Sequence, residues 1–301
     1  MVPLALLFAG CSINTLVANA LTGSVGSTVF TGDSDPELVG DALPFAIKMY
    51  EALLDANPRH QGLLYVTGSL FIMYANAYVQ GPAEMLPPWE WEAREAALMR
   101  AKLLYLRGSN KMYAALDARH RGFIRSTGNE ADFQRMLRRL RKRDAGLLYW
   151  AVAGGLAAYS LDVFDFELSA RIPEWKAMIM RAYELDPDYG GAALDEFLFL
   201  FFASLPELLG GDRERALYHF HRVQEKTGGN SVSALVSYAQ SFAVPAQDYD
   251  MFREYLERAL AIDPDADIST RLVTIIGQRR ARWLLNNAHN FFSFLPFPDD
   301  Y

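Results

Sequence analysis

Cysteine is nearly absent. Cys11 is the single one in 301 residues, so no disulfide can close within the chain and no cysteine-based metal site can be assembled. Histidine is sparse as well, at His60, His120, His219, His221 and His289. Only His219 and His221 stand close, and a two-residue offset turns them to different sides of a helix, unlike the i, i+4 pair that holds zinc. No metal site is expected. Positive charge is in the minority, 29 Lys and Arg against 36 Asp and Glu for a net charge of -7, which argues against the basic surface that nucleic acid requires. Also missing are a Gly-x-x-x-x-Gly-Lys phosphate loop, a nucleophile elbow and a dinucleotide fingerprint; Gly23-Ser-Val-Gly26 reads as a flexible turn. The acids Asp186 and Asp188, and Asp263, Asp265 and Asp267, flank prolines, where solvated turn and capping roles account for them. The expectation is a non-enzymatic protein without a cofactor.

Strand alternation is lacking too. Apolar residues recur at three- and four-residue spacing along most of the chain, and 51% hydrophobic against 22% charged residues supplies a sizeable core. The fold class expected is all-α. Asp35-Pro36 starts one helix and Asn57-Pro58 stops it; Gln61 to Gln80 forms the next. Pro87-Pro88 opens a helix from Trp89 to Arg107, and Gly108-Ser109 is expected to separate it from another ending near Arg125. Further helices are expected at about 130–141, 144–161, 173–185, 192–204, 212–226, 231–242, 248–262 and 268–290. The stretch from Gln61 to Ala83 contains no charged residue and is long enough to cross a bilayer. Its Thr67, Ser69, Asn76, Gln80 and three tyrosines instead suit a helix buried by its neighbours.

Several helices share an ending: Ala182-Tyr-Glu-Leu-Asp-Pro187, Ala259-Leu-Ala-Ile-Asp-Pro264 and, more loosely, Leu53-Leu-Asp-Ala-Asn-Pro58. These resemble second helices of tetratricopeptide repeats, in which a small residue lets two helices approach and a proline breaks the chain before the next unit. The equivalent positions Ala182, Val223 and Ala259 lie 41 and 36 residues apart, against about 34 in the standard repeat. The expected architecture is a superhelical stack of degenerate tetratricopeptide-like helix pairs with a C-terminal capping helix, occupying 36–301 as a single domain. An ordinary antiparallel bundle is the alternative.

Cys11 sits directly behind a short apolar leader that ends Leu7-Phe8-Ala9-Gly10. This pattern reads as a bacterial lipoprotein processing site, with residues 1–10 as leader, 11–35 as anchor and N-terminal helix, and acyl chains carried on Cys11. Such a protein is tethered to a membrane without spanning it. A buried structural cysteine near an apolar N-terminal helix is the other reading.

The lipoprotein-like start and the loose repeat endings occur together with Gly40-Asp-Ala-Leu-Pro-Phe-Ala-Ile-Lys-Met-Tyr-Glu-Ala-Leu-Leu and Gly81-Pro-Ala-Glu-Met-Leu. The combination resembles the T component of tetratricopeptide-associated TRAP transporters (tripartite ATP-independent periplasmic transport), the TatT type, over nearly the whole chain. The resemblance implies a lipid-anchored periplasmic protein that assembles as a homotrimer, has a pore or cavity through each protomer, and docks a periplasmic solute-binding protein. A tetratricopeptide scaffold lipoprotein for envelope or outer-membrane assembly is the alternative function.

Aromatics crowd the expected first helices: Tyr65, Phe71, Tyr74 and Tyr78; Tyr149, Trp150 and Tyr159; and Phe197, Phe199, Phe201 and Phe202. They can accommodate an apolar or amphipathic solute, or simply fill the core between helices. Two clusters are candidate partner contacts. One is basic: Arg135, Arg138, Arg139 and Lys142 share a helical face, suited to anionic lipid, to an acidic partner surface or to plain solvation. The other is the tail Phe291-Phe292-Ser-Phe294, which needs cover from a neighbouring repeat or protomer.

Overall fold

The computed structural model describes residues 28–295; the leader and the expected lipid-attachment residue Cys11 lie outside them. Every regular element among the described residues is helical. After a single turn at Thr28–Thr31 come α1 (Pro36–Ala56), α2 (Gln61–Tyr74), α3 (Trp91–Arg119), α4 (Glu130–Arg139), α5 (Ala145–Ser160) and α6 (Ile172–Leu185). The second half adds α7 (Ala193–Ser204), α8 (Arg213–Thr227), α9 (Val232–Tyr238), α10 (Tyr249–Ala261) and α11 (Arg271–Asn286). The starts follow from capping chemistry. Asp35 accepts the Leu38 N–H at 3.0 Å with Pro36 in the first turn, and Asn129, Asp212, Ser231 and Asp248 accept the corresponding amide of α4, α8, α9 and α10. Of the turn acids, Asp267 caps the turn before α11, whereas Asp186 and Asp188 pair with Lys142 and Lys226.

Neighbours along the chain pack on one another: α1 on α2, α2 on α3, α3 on α5, α5 on α6, α7 on α8, α9 on α10, and α10 on α11. The positions Ala182, Val223 and Ala259 lie on α6, α8 and α10, the second members of three successive pairs, and all three are fully buried. A side chain larger than a methyl or isopropyl group there would hold the paired helices apart.

One expected boundary is corrected. Gly108-Ser109 does not divide two helices; α3 runs unbroken for 29 residues from Trp91 to Arg119. The glycine serves a crossing. A Cβ on Gly108 would lie 2.6 Å from Ile72 Cγ1 and 2.7 Å from the Gly68 carbonyl oxygen, so α2 and α3 approach backbone to backbone. Ser109 donates to the Ala151 carbonyl at 2.8 Å and fastens α5 to the same seam.

Prolines that would ordinarily break a helix are absorbed in three: Pro44 lies inside α1, and two others each follow a wide turn. α2 continues as a π turn over Ala75–Gln80 into Gly81–Glu84, and α9 as a π turn over Ala239–Ala243 into Val244–Ala246. Pro82 and Pro245 follow these wide turns. In each case the residue before the proline donates five residues back, Gly81 to Asn76 and Val244 to Ala239. The wider loop gives space to a ring that would clash with the carbonyl four residues earlier.

The last long helix returns to the first described elements. α11 packs on α1 and on the first turn. Arg271 donates to the Gly32 carbonyl at 3.0 Å, Arg279 pairs with Glu37, and Arg280 pairs with Glu84 at 2.9 Å.

Candidate functional site

Each of α2, α5 and α7 leaves one stripe incompletely covered: Tyr65, Met73 and Asn76; Tyr149, Trp150, Ala153 and Leu156; Glu196, Phe197 and Leu200. Three-residue steps within each set, Met73 to Asn76, Trp150 to Ala153 to Leu156 and Phe197 to Leu200, keep these residues to one side of their helix. These faces touch. The Tyr65 and Tyr189 hydroxyls are 2.7 Å apart, and the Trp150 indole N–H points to both, at 3.2 and 3.1 Å. Tyr149 packs edge-on against Trp150 and Phe197, with centroids at 5.2 and 5.8 Å, and tilted against Tyr189. Next to Phe197, Glu196 accepts hydrogen bonds from Ser231 and Ser233 at the start of α9. The result is a wall of contacting side chains, Tyr65, Tyr189, Trp150, Tyr149 and Phe197, that links α2, α5 and α7 and ends at the polar Glu196 beside α9.

Burial raises the pKa values along this wall. Protein surrounds the Glu196 carboxyl, which raises its pKa despite the serine hydrogen bonds that favour the ionised form. Tyr149 and Tyr189 are likewise raised, first by burial and then by neighbouring acidic groups. Their hydroxyls stay protonated at neutral pH and act as hydrogen-bond partners.

The aromatics named from sequence therefore divide. Phe71, Phe199, Phe201, Phe202 and Tyr159 are core, whereas Tyr65, Tyr74, Tyr78, Tyr149, Trp150 and Phe197 keep partial solvent access. Sequence periodicity missed Tyr189, which sits in a turn, and Glu196. The signal for the latter was an acid pair, Asp195-Glu196, inside an otherwise apolar run. The first of that pair has a structural role: Asp195 is fully buried, 2.8 Å from both His219 Nδ1 and Lys226 Nζ. Burial alone would raise its pKa, but these two bonds outweigh it and hold the carboxyl below the usual range. His219 is thus spoken for inside the fold.

Of the basic candidates, Arg135, Arg138 and Arg139 gather with Arg125 around a cavity of about 470 Å³, beside Asp132 and Met136. Lys142 does not join them, because α4 ends at Arg139 and Lys142 turns to Asp186 at 3.2 Å. Arg125 comes from the single turn Phe123–Ser126 and carries no periodic relation to the others, which is why spacing could not find it. In the phenylalanine tail, Phe292 is buried against Phe252 and Tyr249, Phe291 lies between Phe252 and Trp283, and Phe294 remains 60% exposed.

Comparison with known proteins agrees with the sequence segments quoted above. Residues 32–292 match the family model described as the TRAP transporter T-component. An uncharacterised protein of Treponema pallidum (strain Nichols) is 36% identical over 305 aligned positions, covering 95% of this chain and 94% of that protein. With an all-helical fold and a match over most of its length, the chain belongs to the TRAP transporter T-component family, a non-catalytic accessory class of that transport system.

Proposed function

We propose that this protein is a lipid-anchored periplasmic subunit of a TRAP uptake system. It is tethered through Cys11, docks the system's solute-binding protein, and guides an apolar or amphipathic solute along the aromatic wall. One observation carries the solute role: the wall links α2, α5 and α7 by direct contacts and ends at Glu196 beside α9, while α11 returns to α1 and α2 through Arg279 and Arg280. Helix pairs that stack as a superhelix and meet end to start enclose a central space, and the partly uncovered faces then line it. Apolar walls with a few placed polar groups are typical of small-molecule sites.

A homotrimer, implied by the family resemblance, fits a second feature. Phe164 and Phe166 are 82% and 84% exposed, yet their loop is fixed to α3 by Lys102, whose ammonium lies 2.7 Å from Asp162 and 2.8 Å from Asp165. Large apolar groups held in the open commonly mark an assembly surface.

The test is affinity purification from native membranes. A periplasmic solute-binding protein recovered in stoichiometric amount supports the reading, whereas recovery of envelope-assembly proteins in its place would favour a scaffold. Labelled palmitate should enter the full-length precursor in a bacterial host and fail to enter Cys11→Ser; equal labelling of both would remove the anchor from the proposal.

A further inference from the structure

In a protein with a net charge of -7, four arginines from two different elements converge on one concave site. Arg125 projects from the turn Phe123–Ser126, and Arg135, Arg138 and Arg139 from α4, around a cavity of about 470 Å³. Only one of the four is neutralised. Arg135 pairs with Asp132, whereas no ion pair within the described residues reaches Arg125, Arg138 or Arg139.

The ordinary reason for arginines in the last turn of a helix is to satisfy its terminal carbonyls. Here another residue already does so. Arg181 crosses from α6 and donates through Nε to the Leu137 carbonyl at 3.1 Å and through Nη2 to the Leu140 carbonyl at 3.2 Å. Arg138 and Arg139 are therefore left with solvent and the cavity. Guanidinium groups match carboxylates in a planar, two-bond geometry, and several around one concavity select a cluster of negative charge.

The rim separates the candidate ligands. A bilayer of anionic lipids is a flat, uniformly negative plane, and Asp132, which lines the same site as the arginines, would be brought toward that plane with them. An open concavity that carries Asp132 among exposed arginines suits a discrete acidic segment instead. We infer that the Arg125, Arg135, Arg138 and Arg139 pocket receives a short run of Asp or Glu side chains from a protein partner, through arginine–carboxylate pairs. This deepens the docking role proposed above and rests on it only for the identity of the protein that supplies the segment.

The experiment uses the full chain and a fluorescein-labelled hexaglutamate peptide, with inorganic phosphate and vesicles of mixed anionic and neutral phospholipid as separate probes. The wild-type protein should bind the peptide at low salt and lose affinity steadily as salt rises. Arg138→Glu/Arg139→Glu should weaken peptide binding at least tenfold with an unchanged thermal midpoint, and Arg138→Lys/Arg139→Lys should fall between. Peptide affinity unmoved by charge reversal, or no peptide binding at all, would overturn the inference. So would anionic vesicles or phosphate binding more tightly than the peptide with the same sensitivity to reversal, since the ligand would then be lipid or a free oxyanion. Peptide binding that depends on the arginines, without a co-purifying solute-binding protein, would keep the pocket and retire the docking role.

Discussion

Arg279 of α11 grips the Glu37 carboxylate in the first turn of α1, joining residues 242 positions apart; the Nη2 to Oε2 contact is 3.0 Å. The hydrogen bond from Arg279 is the leading reason that the Glu37 pKa is lowered. Both groups are solvent-exposed, so the pair contributes little to global stability. Its importance is local, because with Arg271 and Arg280 it holds the last long helix to the first two.

Glu37→Arg should place two cations together and loosen that junction. Hydrogen exchange followed by mass spectrometry should show faster exchange over α11 and the start of α1, with little change elsewhere. The swap Glu37→Arg/Arg279→Glu should restore slow exchange. Exchange in the single variant equal to wild type would mean that apolar packing alone keeps the chain ends together.

Gly108→Ala tests the crossing of α2 and α3. In an isolated helix alanine is better than glycine by about 1 kcal/mol. Here the added methyl meets Ile72 Cγ1 at 2.6 Å and the Gly68 carbonyl oxygen at 2.7 Å, and the second contact is backbone that cannot rotate away. Overpacking of this kind costs about 1–3 kcal/mol, and the backbone contact places it toward the upper end. The substitution should therefore lower the urea midpoint, whereas at an exposed helix position it would raise it.

That glycine also shows where the sequence was legible and where it was not. Helix starts at Pro36, Glu130, Arg213 and Tyr249 follow from the capping residue just before each, information held within four residues. The continuity of α3 across Gly108 is decided by Gly68 and Ile72 on another helix, and a local rule can only take the glycine for a break. The same limit applies to the candidate sites. Arg135, Arg138 and Arg139 were visible by spacing, but Arg125 joins them only in three dimensions, and Lys142 leaves them because α4 stops early. Stripes of aromatics were evident, yet which members would be core and which would border the wall depended on the neighbours each helix acquires.

Asp195 gives a pH-dependent prediction. Its folded-state pKa is lowered, so the stability it contributes is present above the unfolded-state value of about 3.9 and is lost as pH falls through the folded-state value. Asp144, held low by backbone and Arg119 hydrogen bonds that outweigh burial, behaves in the same sense. Asp195→Asn removes the carboxylate that faces His219 and leaves Lys226 with Asp188 as its one remaining acidic partner among the described residues. At pH 7 this should cost about 3 kcal/mol, the lower end for breaking a buried pair, because Lys226 retains some water. Thermal unfolding measured at decreasing pH should show the wild-type and variant midpoints converging below pH 4. A constant difference between them down to pH 2 would assign the effect to packing and not to charge.

The phenylalanine tail separates a core role from an assembly role within three residues. Phe292 is fully buried, 5.0 Å from the Phe252 ring and 5.4 Å from Tyr249 by centroid, while Phe294 is 60% exposed. Gln247 adds a tether, donating to the Phe291 carbonyl at 2.9 Å from a left-handed backbone position (φ 53) at the end of the turn Val244–Ala246. Phe292→Ala should cost about 3–5 kcal/mol, as for other buried rings, and lower the thermal midpoint at every protein concentration. Phe294→Ala should leave the midpoint of an isolated protomer unchanged. If Phe294 packs against a second copy, that variant should instead shift the mass measured by light scattering toward monomer on dilution. Its mass staying equal to wild type across the dilution series would confine the tail to capping its own helices.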